Sequence, residues 1–472
     1  MSRTVAVIYD DTRKPGKDIA GITGDKSFGR TIYKRKTLRE RIADTFASMD
    51  NVSGFFDAGS KEMMALKDTP VILYYSDFGI ADSKELETIV YKAGYAHENY
   101  KITQGDRIAC VIFKDETSFY NALPEELEGY TEIVSDAFID LSDVSAFRSF
   151  ITGGFDARFF NFLSGDEYTV VKSSKKTDKI KAEYSFYGLL PDDMKQWFVR
   201  PFDYREDKDS ASYRMQRYHM TDLAIRYVHG SITTSEFSDI LKHLFYFLSH
   251  RKSRSVSAEE YENEARKLYV TKVYDRIKQL KESEGYDRLS AIIATLSGYD
   301  DIDVIADRYE KLYDRIRSRC TFDHVNVVSH GDMCFSNILY SNSSSQVILI
   351  DPKGAMSEDE LYMDPYYDIA KLSHSICGHY DFFNSGLYEM SVDENLKARV
   401  KVDADNRQFV ELFKKELAGC GIDFELIRLY EASLFLSMLP LHMDRPQKVF
   451  AFVMNAVAIL DSLEEYCKCT RI

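Results

Sequence analysis

The stretch VNVVSHGDMCFSNILYSNSSSQVILIDPKG, residues 325–354, carries the strongest fold signal in this 472-residue chain. Its two apolar runs, Val325–Val328 and Val347–Ile350, have the length and β-branched content of buried strands. Polar residues follow each run: Asp332 comes after the first, Asp351 after the second, and Asn337 lies between them. The pattern predicts two strands that deliver two carboxylates and an amide to one place.

Phosphoryl transfer from a metal-bound nucleotide requires this set of groups. One carboxylate accepts or orients the proton of the attacking hydroxyl. An amide oxygen and a second carboxylate hold Mg²⁺ against the phosphates, because hard cations favour oxygen ligands. The sequence therefore predicts Asp332 as the base and Asn337 and Asp351 as metal ligands. A hairpin-like return through YSNSSSQ (340–346) would bring Asp351 beside the loop that carries Asn337.

Three segments in this order carry a family resemblance. HGDMCFSNIL (330–339) and ILIDPKG (348–354) resemble the H-G-D-x-x-x-x-N and I-D signature of the aminoglycoside phosphotransferase and choline kinase family. DPYYDIAKL (364–372) is similar to that family's D-P-x-x-D-[LI]-A segment. The family consists of small-molecule kinases with a protein-kinase-like fold. The resemblance implies ATP and Mg²⁺ as cofactors, a His330 that shapes the catalytic loop, and an Asp368 that hydrogen-bonds to this loop from a helix start.

The resemblance also implies a lysine and a glutamate upstream. A family member needs a strand lysine for the α- and β-phosphates and a helix glutamate to pair with it. EYTVVKSS (167–174) supplies Lys172 at the end of a β-branched run. DKIKAEYSFYGLLP (178–191) supplies Glu183 on an amphipathic segment. Either residue alone would be an ordinary surface residue, so their position relative to the later motifs gives them weight.

Two further nucleotide contacts follow from the same resemblance. A flexible turn should cover the phosphates before the lysine, and TGGFDARFFNF (152–162) offers Gly153 and Gly154. SYRMQRYHM (212–220) fits the strand that links the two lobes. The backbone near Gln216 and Tyr218 is then expected to meet the adenine.

The chain changes character along its length. Residues 1–145 alternate strand-like and helix-like runs, which predicts an α/β domain with a mostly parallel sheet. The family resemblance covers residues from about 148 onward and implies a two-lobed protein-kinase-like α+β domain. Residues 146–222 would form its N-lobe, and residues 223–472 would form its helical C-lobe. Antiparallel hairpins are expected from FRSFITGG (147–154) onward, with a linker near residues 140–150. The basic HRKSRS (250–255) is interpreted as a solvated connection.

The first domain contains one misleading motif. Asp77-Phe78-Gly79 has the letters of a protein-kinase metal motif but precedes the lysine strand, so the match is accidental. Nucleotide-diphosphate-sugar enzymes place a metal ligand at such a strand end, and the layout of residues 1–145 resembles a nucleotidyltransferase domain. The glycine-rich, arginine-containing loop expected after the first strand is missing. We therefore expect a degenerate domain with a binding or structural role, although its basic residues could contact a phosphate: Arg13, Lys14, Lys17, Lys26 and Arg30.

Bulk composition narrows the classes of partner. The formal net charge of −15 opposes nucleic-acid binding, which usually needs a basic face. No apolar run is long enough for a membrane span. Seven scattered cysteines fit reduced thiols in a cytoplasmic protein better than a disulfide framework. The oligomeric state is left open, and small molecules are the expected ligands.

The acceptor should be bound by the helical lobe. Choline-type acceptors need aromatic faces and carboxylates, and one segment supplies both: Tyr362, Tyr366, Tyr367, Tyr380, Asp381 and Phe382. MLPLHMDRPQK (438–448) adds His442, Asp444 and Arg445, suited to a sugar or an anionic group. An amino alcohol, a sugar or a similar acceptor, used for surface polysaccharide synthesis, fits a kinase joined to a nucleotidyltransferase-like domain. The alternatives are a non-catalytic nucleotide-binding or regulatory protein and a bifunctional kinase/nucleotidyltransferase.

Overall fold

The computed structural model of the chain describes residues 3–123, 127, 129–152, 161–166 and 168–469. Its internal contacts divide the chain into two compact units. Unit 1 is Met1–Asp156 with Ile225–Ser231, and unit 2 is Ala157–Ala224 with Ile232–Ile472. A short later segment of the chain thus belongs to the first unit.

Unit 1 is an α/β unit built on a six-stranded sheet. Its described strands are β1 (Val5–Asp10), β2 (Ile32–Tyr33), β3 (Lys36–Thr37), β4 (Val52–Asp57), β5 (Val71–Tyr75), β6 (Phe78–Ile80), β7 (Tyr100–Gln104), β8 (Arg107–Phe113), β9 (Thr131–Val134) and β10 (Phe138–Asp140). Its described helices are α1 (Lys17–Thr23), α2 (Leu38–Ala47), α3 (Ser83–Ala93), α4 (Glu116–Asn121) and α5 (Val144–Thr152). The strand order in the sheet is β4-β1-β5-β8-β7-β9.

The sheet is mostly parallel with one reversed strand: three of its five strand pairings are parallel, and β8 alone among its six strands runs in the opposite direction. β1 pairs in parallel with β4 and β5, and β7 with β9, but β8 runs antiparallel to both its neighbours. The reason is local: only Gly105 and Asp106 separate β7 from β8, and Gly105 has a φ of +59°. A two-residue connection with a left-handed glycine closes an antiparallel hairpin. The letters Gly-Asp were visible in the sequence as a hairpin signal.

Helix α5 replaces the linker expected near residues 140–150. Phe147 and Ile151 lie one helical turn apart and are both buried in the core of unit 1. This i, i+4 spacing places them on one face of a helix. The expectation of hairpins starting at FRSFITGG was therefore wrong for residues 147–152, and Gly153 and Gly154 lie outside the described residues. Among the residues that the structure describes, the next β-strand after α5 is Asn161–Gly165 of unit 2.

Unit 2 contains the remaining elements except most of the helix Leu223–His229. Its described strands are β11 (Asn161–Gly165), β12 (Thr169–Ser174), β13 (Pro201–Glu206), β14 (Ala211–Gln216), β15 (Thr221–Asp222), β16 (Ser253–Ser255), β17 (Val325–Val328), β18 (Ile338–Ser341), β19 (Gln346–Leu349), β20 (Tyr362–Met363), β21 (Glu389–Val392) and β22 (Ala398–Lys401). The helices from this point are α6 (Thr177–Leu189), α7 (Leu223–His229), α8 (Thr234–Ser249), α9 (Ala258–Arg266), α10 (Lys272–Lys281), α11 (Tyr286–Leu296), α12 (Ile302–Arg317), α13 (Tyr367–Ile376), α14 (Tyr380–Asn384), α15 (Arg407–Gly419), α16 (Phe424–Met438) and α17 (Pro446–Cys469). All of α7 after its first two residues belongs to unit 1.

Two parts of unit 2 hold the elements that matter for the site. An antiparallel sheet in the order β11-β12-β14-β13 packs with α6, and Ile180 and Met215 contribute to the small core they share. The larger core comes from the helices, including α10, α12, α13, α16 and α17. Two three-stranded sheets, β15-β18-β19 and β16-β17-β20, carry the stretch 325–354. Within the described residues, no helix combines the length and apolarity that crossing a bilayer requires.

Candidate functional site

A buried carboxylate accepts hydrogen bonds from the backbone of the loop after β17. Asp368, at the start of α13, is fully buried and accepts hydrogen bonds from the backbone N–H groups of His330 (2.9 Å) and Gly331 (2.8 Å). The guanidinium of Arg251 donates to the same carboxylate at 3.0 Å and is itself buried. Burial lowers the pKa of Arg251, although Asp368 opposes this effect. A buried charge needs such a partner, so this pair fixes the base of the loop.

The side chain of His330 shapes the loop from within. Its Nδ1 accepts a hydrogen bond from the backbone N–H of Asp332 at 3.1 Å, which leaves Nε2 to donate to the carbonyl of Ile350 at 2.8 Å. These partners assign the tautomer. The next residue must be glycine, because Gly331 has a φ of +78° and an added Cβ would lie 2.6 Å from the Cβ of Lys353. The loop therefore adopts one conformation from which Asp332 projects.

Asp332 meets a lysine that sequence reasoning missed. Lys371 Nζ lies 2.9 Å from Asp332 Oδ1, and its side chain is only 14% exposed, against 42% for Asp332. The amide of Asn337 donates to the backbone carbonyl of Asp332 at 2.8 Å. This bond uses the nitrogen of the amide, so the amide oxygen is the end of Asn337 suited to a cation.

Strands β18 and β19 bring the two predicted metal ligands together. Ile338 pairs with Leu349, and the backbone N–H of Ile350 donates to the carbonyl of Asn337 at 3.0 Å. Asp351 follows directly with a φ of +54°, a left-handed conformation that few non-glycine residues adopt. Its side chain is 42% exposed. The predicted hairpin return is thus present, and it places Asp351 next to Asn337.

The third part of the site comes from the antiparallel sheet and α6. Lys172 on β12 is buried, and its Nζ lies 2.7 Å from Glu183 Oε2 on α6 and 2.9 Å from Asp351 Oδ1. Burial alone would lower the pKa of Lys172, but the carboxylates of Asp351 and Glu183 outweigh it and the pKa is raised. Tyr213, opposite Lys172 on β14, donates from its hydroxyl to Glu183 at 3.3 Å. A charged lysine is therefore held beside the second predicted metal ligand.

The donor set fits Mg²⁺. Magnesium sites in nucleotide-dependent enzymes use one or two carboxylates and leave other positions to phosphates and water. Asn337 and Asp351 supply an amide oxygen and a partly exposed carboxylate of this kind. Among the described residues, no cluster of three or more His, Cys, Asp or Glu side chains has metal-binding geometry. A preformed all-protein metal cage of that composition is therefore absent from this part of the chain.

Four other residues were predicted to contact the nucleotide, and the structure describes two of them. Gly153 and Gly154 lie outside the described residues. Gln216 is the exposed last residue of β14, and Tyr218 follows it half-buried in a non-strand segment before β15. Burial raises the pKa of Tyr218. Contact of either residue with an adenine stays a prediction.

The aromatic residues expected to bind the acceptor are mostly core residues. Tyr367, Tyr380 and Phe382 are buried, and the Tyr380 ring stacks on His374 with 4.2 Å between centroids. Asp381 is also buried, and this desolvation raises its pKa to about 7. The other members are half-buried or exposed: Tyr362, Tyr366, His442, Asp444 and Arg445. These rings therefore do not form an open aromatic cage in this structure.

Unit 1 has its own charged cluster at a strand end. Asp77, just after β5, is buried and forms ion pairs with Arg13 (3.0 Å) and Arg107. Arg107 also pairs with Asp140, and the guanidinium of Arg13 lies 3.5 Å above the Tyr75 ring. Two arginines neutralise the carboxylate of Asp77. The contacts therefore do not fit a nucleotidyltransferase-type metal site at Asp77.

Arg251 corrects the interpretation of HRKSRS as a solvated connection. Arg251 is buried against Asp368 and also donates to the carbonyl of Pro365 at 2.8 Å. A basic residue directly after an apolar helix was the only signal available. Lys371 was visible within DPYYDIAKL, but no local pattern linked it to Asp332.

Comparisons with known proteins give only distant structural likenesses. No family model and no curated protein matches the chain. The chain is similar to an aminoglycoside phosphotransferase APH(4)-Ia solved with AMP-PNP and hygromycin B, at 11% identity and a TM-score of 0.39, over 67% of this chain and 98% of that one. It is also similar to APH(3'')-Id from Streptomyces rimosus, solved with ADP and streptomycin, at 16% identity and a TM-score of 0.34, over 63% of this chain and 98% of that one. A third similar structure is described as a fructosamine-3-kinase from Haemophilus somnus 129PT. It has 10% identity and a TM-score of 0.37, over 64% of this chain and 90% of that one. Values this low assign no activity, so the functional conclusion depends on the contacts themselves.

Proposed function

We propose that unit 2 is a kinase-like phosphotransferase that uses Mg²⁺ and a nucleoside triphosphate, ATP in the first instance, to phosphorylate a hydroxyl of a small molecule. One observation carries the proposal: Lys172 and Asp351, 179 residues apart in sequence, form a 2.9 Å ion pair beside Asn337. Lys172 is also held by Glu183. A purely structural lysine has no need of a strained aspartate next to an amide, whereas phosphate binding needs all of these groups.

Each residue has a role in this mechanism. Lys172 neutralises the α- and β-phosphates, and Glu183 keeps its ammonium in place. Asp351 and Asn337 hold the cation, which when bound screens the charge of the phosphates. Asp332 accepts the proton of the acceptor hydroxyl, while His330 and Asp368 hold the loop that presents it. Unit 1 then has a binding or structural role, because Asp77 is engaged by two arginines.

Turnover across an acceptor panel tests the proposal. The chain is incubated with Mg²⁺, γ-labelled ATP or GTP, and amino alcohols, sugars and other alcohols, and transfer of label is followed. Asp332→Asn should lower turnover by about 10²–10⁴-fold. Asp239→Asn is the matched control, because Asp239 forms an exposed ion pair with Lys242 on α8. Release of pyrophosphate from a nucleoside triphosphate and a sugar phosphate tests unit 1 separately.

Binding measurements distinguish the remaining outcomes. Mg²⁺-dependent stabilisation by nucleotide without turnover on any acceptor would support the non-catalytic alternative. If neither stabilisation nor turnover is found, the proposed function is refuted. Pyrophosphate release that depends on Asp77 would instead support a bifunctional enzyme.

A further inference from the structure

The contact between Lys371 and Asp332 has consequences beyond the roles given so far. Lys371 lies on α13, and its Nζ is 2.9 Å from Asp332 Oδ1. The backbone of Asp332 is fixed separately, by the bonds from its N–H to His330 and from Asn337 to its carbonyl. The loop thus sets where Asp332 stands, and Lys371 contacts the carboxylate itself.

Lys371 remains charged although only 14% of its side chain is exposed. Burial by itself would lower the pKa of Lys371, but the charges of Asp332 and Tyr367 outweigh it and the pKa is raised. Keeping a cation in such a place costs desolvation energy, and a well-packed apolar side chain is often at least as stable. The lysine therefore needs a reason other than packing.

A tyrosine and a second lysine influence the electrostatics around Lys371. Tyr367 lies one turn earlier on α13, and its hydroxyl oxygen accepts a hydrogen bond from Lys272 of α10 at 3.2 Å. Burial would raise the pKa of Tyr367, but Lys371 and Lys272 together outweigh it and the pKa is lowered. Direct contacts join Lys272 to Tyr367 and Lys371 to Asp332. Both helices contribute buried side chains to the larger hydrophobic core of unit 2.

We propose that Lys371 is a positioning residue for phosphoryl transfer, which holds Oδ1 of Asp332 so that the carboxylate meets the acceptor hydroxyl in one orientation. This inference rests on the proposed function. In the step, the acceptor oxygen forms its bond to the γ-phosphorus as the bond from that phosphorus to the bridging oxygen breaks. The electron pair leaves with the nucleoside diphosphate, and the hydroxyl proton passes to Asp332. Lys371 exchanges no proton in this step.

Steady-state kinetics of the full chain test the inference. Lys371→Met should lower kcat by about 10²-fold, since a small misplacement of a reacting group costs this much, while the KM for nucleotide stays within about twofold of the wild type. Lys242→Met, which removes an exposed lysine paired to Asp239, is the matched control and should keep full activity. Lys371→Arg retains the charge and should recover part of the lost kcat.

Chemical rescue separates positioning from simple structural damage. In Lys371→Ala, added butylammonium should raise kcat in a concentration-dependent manner, because the amine can occupy the space of the lysine side chain; the same amine should not activate Asp332→Asn. This variant also serves if Lys371→Met does not fold, which the fluorescence of Trp197, the single tryptophan, would reveal.

The results that overturn the inference are distinct from those that overturn the function. An active wild type whose Lys371→Met variant keeps kcat within about threefold refutes the positioning role alone. A deficit in Lys371→Ala that no amine reduces, in a folded protein, refutes it as well. A wild type without turnover on any acceptor refutes the proposed function and this inference together.

Discussion

Asp368→Asn tests whether one buried ion pair supports the catalytic loop. Asp368 is fully buried and paired to Arg251, whose side chain is 2% exposed, so the substitution leaves an uncompensated guanidinium in the interior. Breaking such a pair costs about 3–5 kcal/mol. The amide of asparagine also presents a donor toward the N–H groups of His330 and Gly331, which adds to the cost. For a unit of this size the loss corresponds to a fall in Tm of roughly 10 °C.

Trp197 makes the measurement specific to unit 2. It is the only tryptophan of the chain, belongs to unit 2, and packs against Phe247 with 5.5 Å between ring centroids. Fluorescence excited at the red edge therefore follows urea or thermal unfolding of this unit without a signal from unit 1. Asp239→Asn, which breaks an exposed pair, should change the free energy of unfolding by less than about 0.5 kcal/mol.

A double-mutant cycle with Arg251→Met supplies the decisive comparison. If the unpaired charge dominates the cost, Asp368→Asn combined with Arg251→Met should lose at least about 1 kcal/mol less than the sum of the single losses. The remaining loss of stability comes from the backbone N–H groups of His330 and Gly331, which no longer have the carboxylate of Asp368 as acceptor. A decrease of less than about 1 kcal/mol in Asp368→Asn, or strictly additive losses in the cycle, would refute the reasoning.

Three further predictions follow from other buried charges. Lys172→Met should weaken Mg-nucleotide binding by about tenfold or more in calorimetry, since a charge-assisted contact is lost. Lys179→Met removes the second, 46%-exposed partner of Glu183 and should change this binding little. Equal effects of the two substitutions would argue against a special role for Lys172. The Asp381 carboxyl has its pKa raised from 3.8 to about 7, so the folded state binds its proton more tightly and the stability it confers is lost as pH rises through this window. Asp381→Asn should therefore gain stability relative to the wild type between about pH 4 and pH 7, and a pH-independent difference would contradict the assignment. Asp77→Asn should destabilise unit 1 by about 1–3 kcal/mol, seen as faster hydrogen exchange in β5, and leave phosphotransfer unchanged; unchanged exchange would mean that the arginine pairs contribute nothing.

The sequence predicted the elements around the site well, because their signals are local. The run VVK of β12, the helix-forming composition of α6 and the strands flanking HGD are signals that neighbouring residues suffice to reveal, although α6 lacks the pronounced apolar face that was predicted for it. Their meeting at Lys172, Glu183 and Asp351 was predicted only through the family resemblance, because no local signal links residues so far apart. In unit 1 the sequence missed one strand direction rather than the parallel character of the sheet. The Gly105-Asp106 turn reverses β8, and a two-residue signal of this sort is easily lost among stronger helical and strand patterns.

What the sequence could not reveal is how the buried charges of the loop are balanced. Arg251 comes from the segment after α8, and Lys371 from the same helix as Asp368, three residues later. Residues three apart lie on one face of a helix, so α13 presents a carboxylate to the amides of the loop and an ammonium to Asp332 at the same time. A rotation of α13 would disturb both contacts together. The spacing within DPYYDIAKL is therefore a physical requirement of the site, and moving the lysine by one position along α13 should impair Asp332 as severely as removing it.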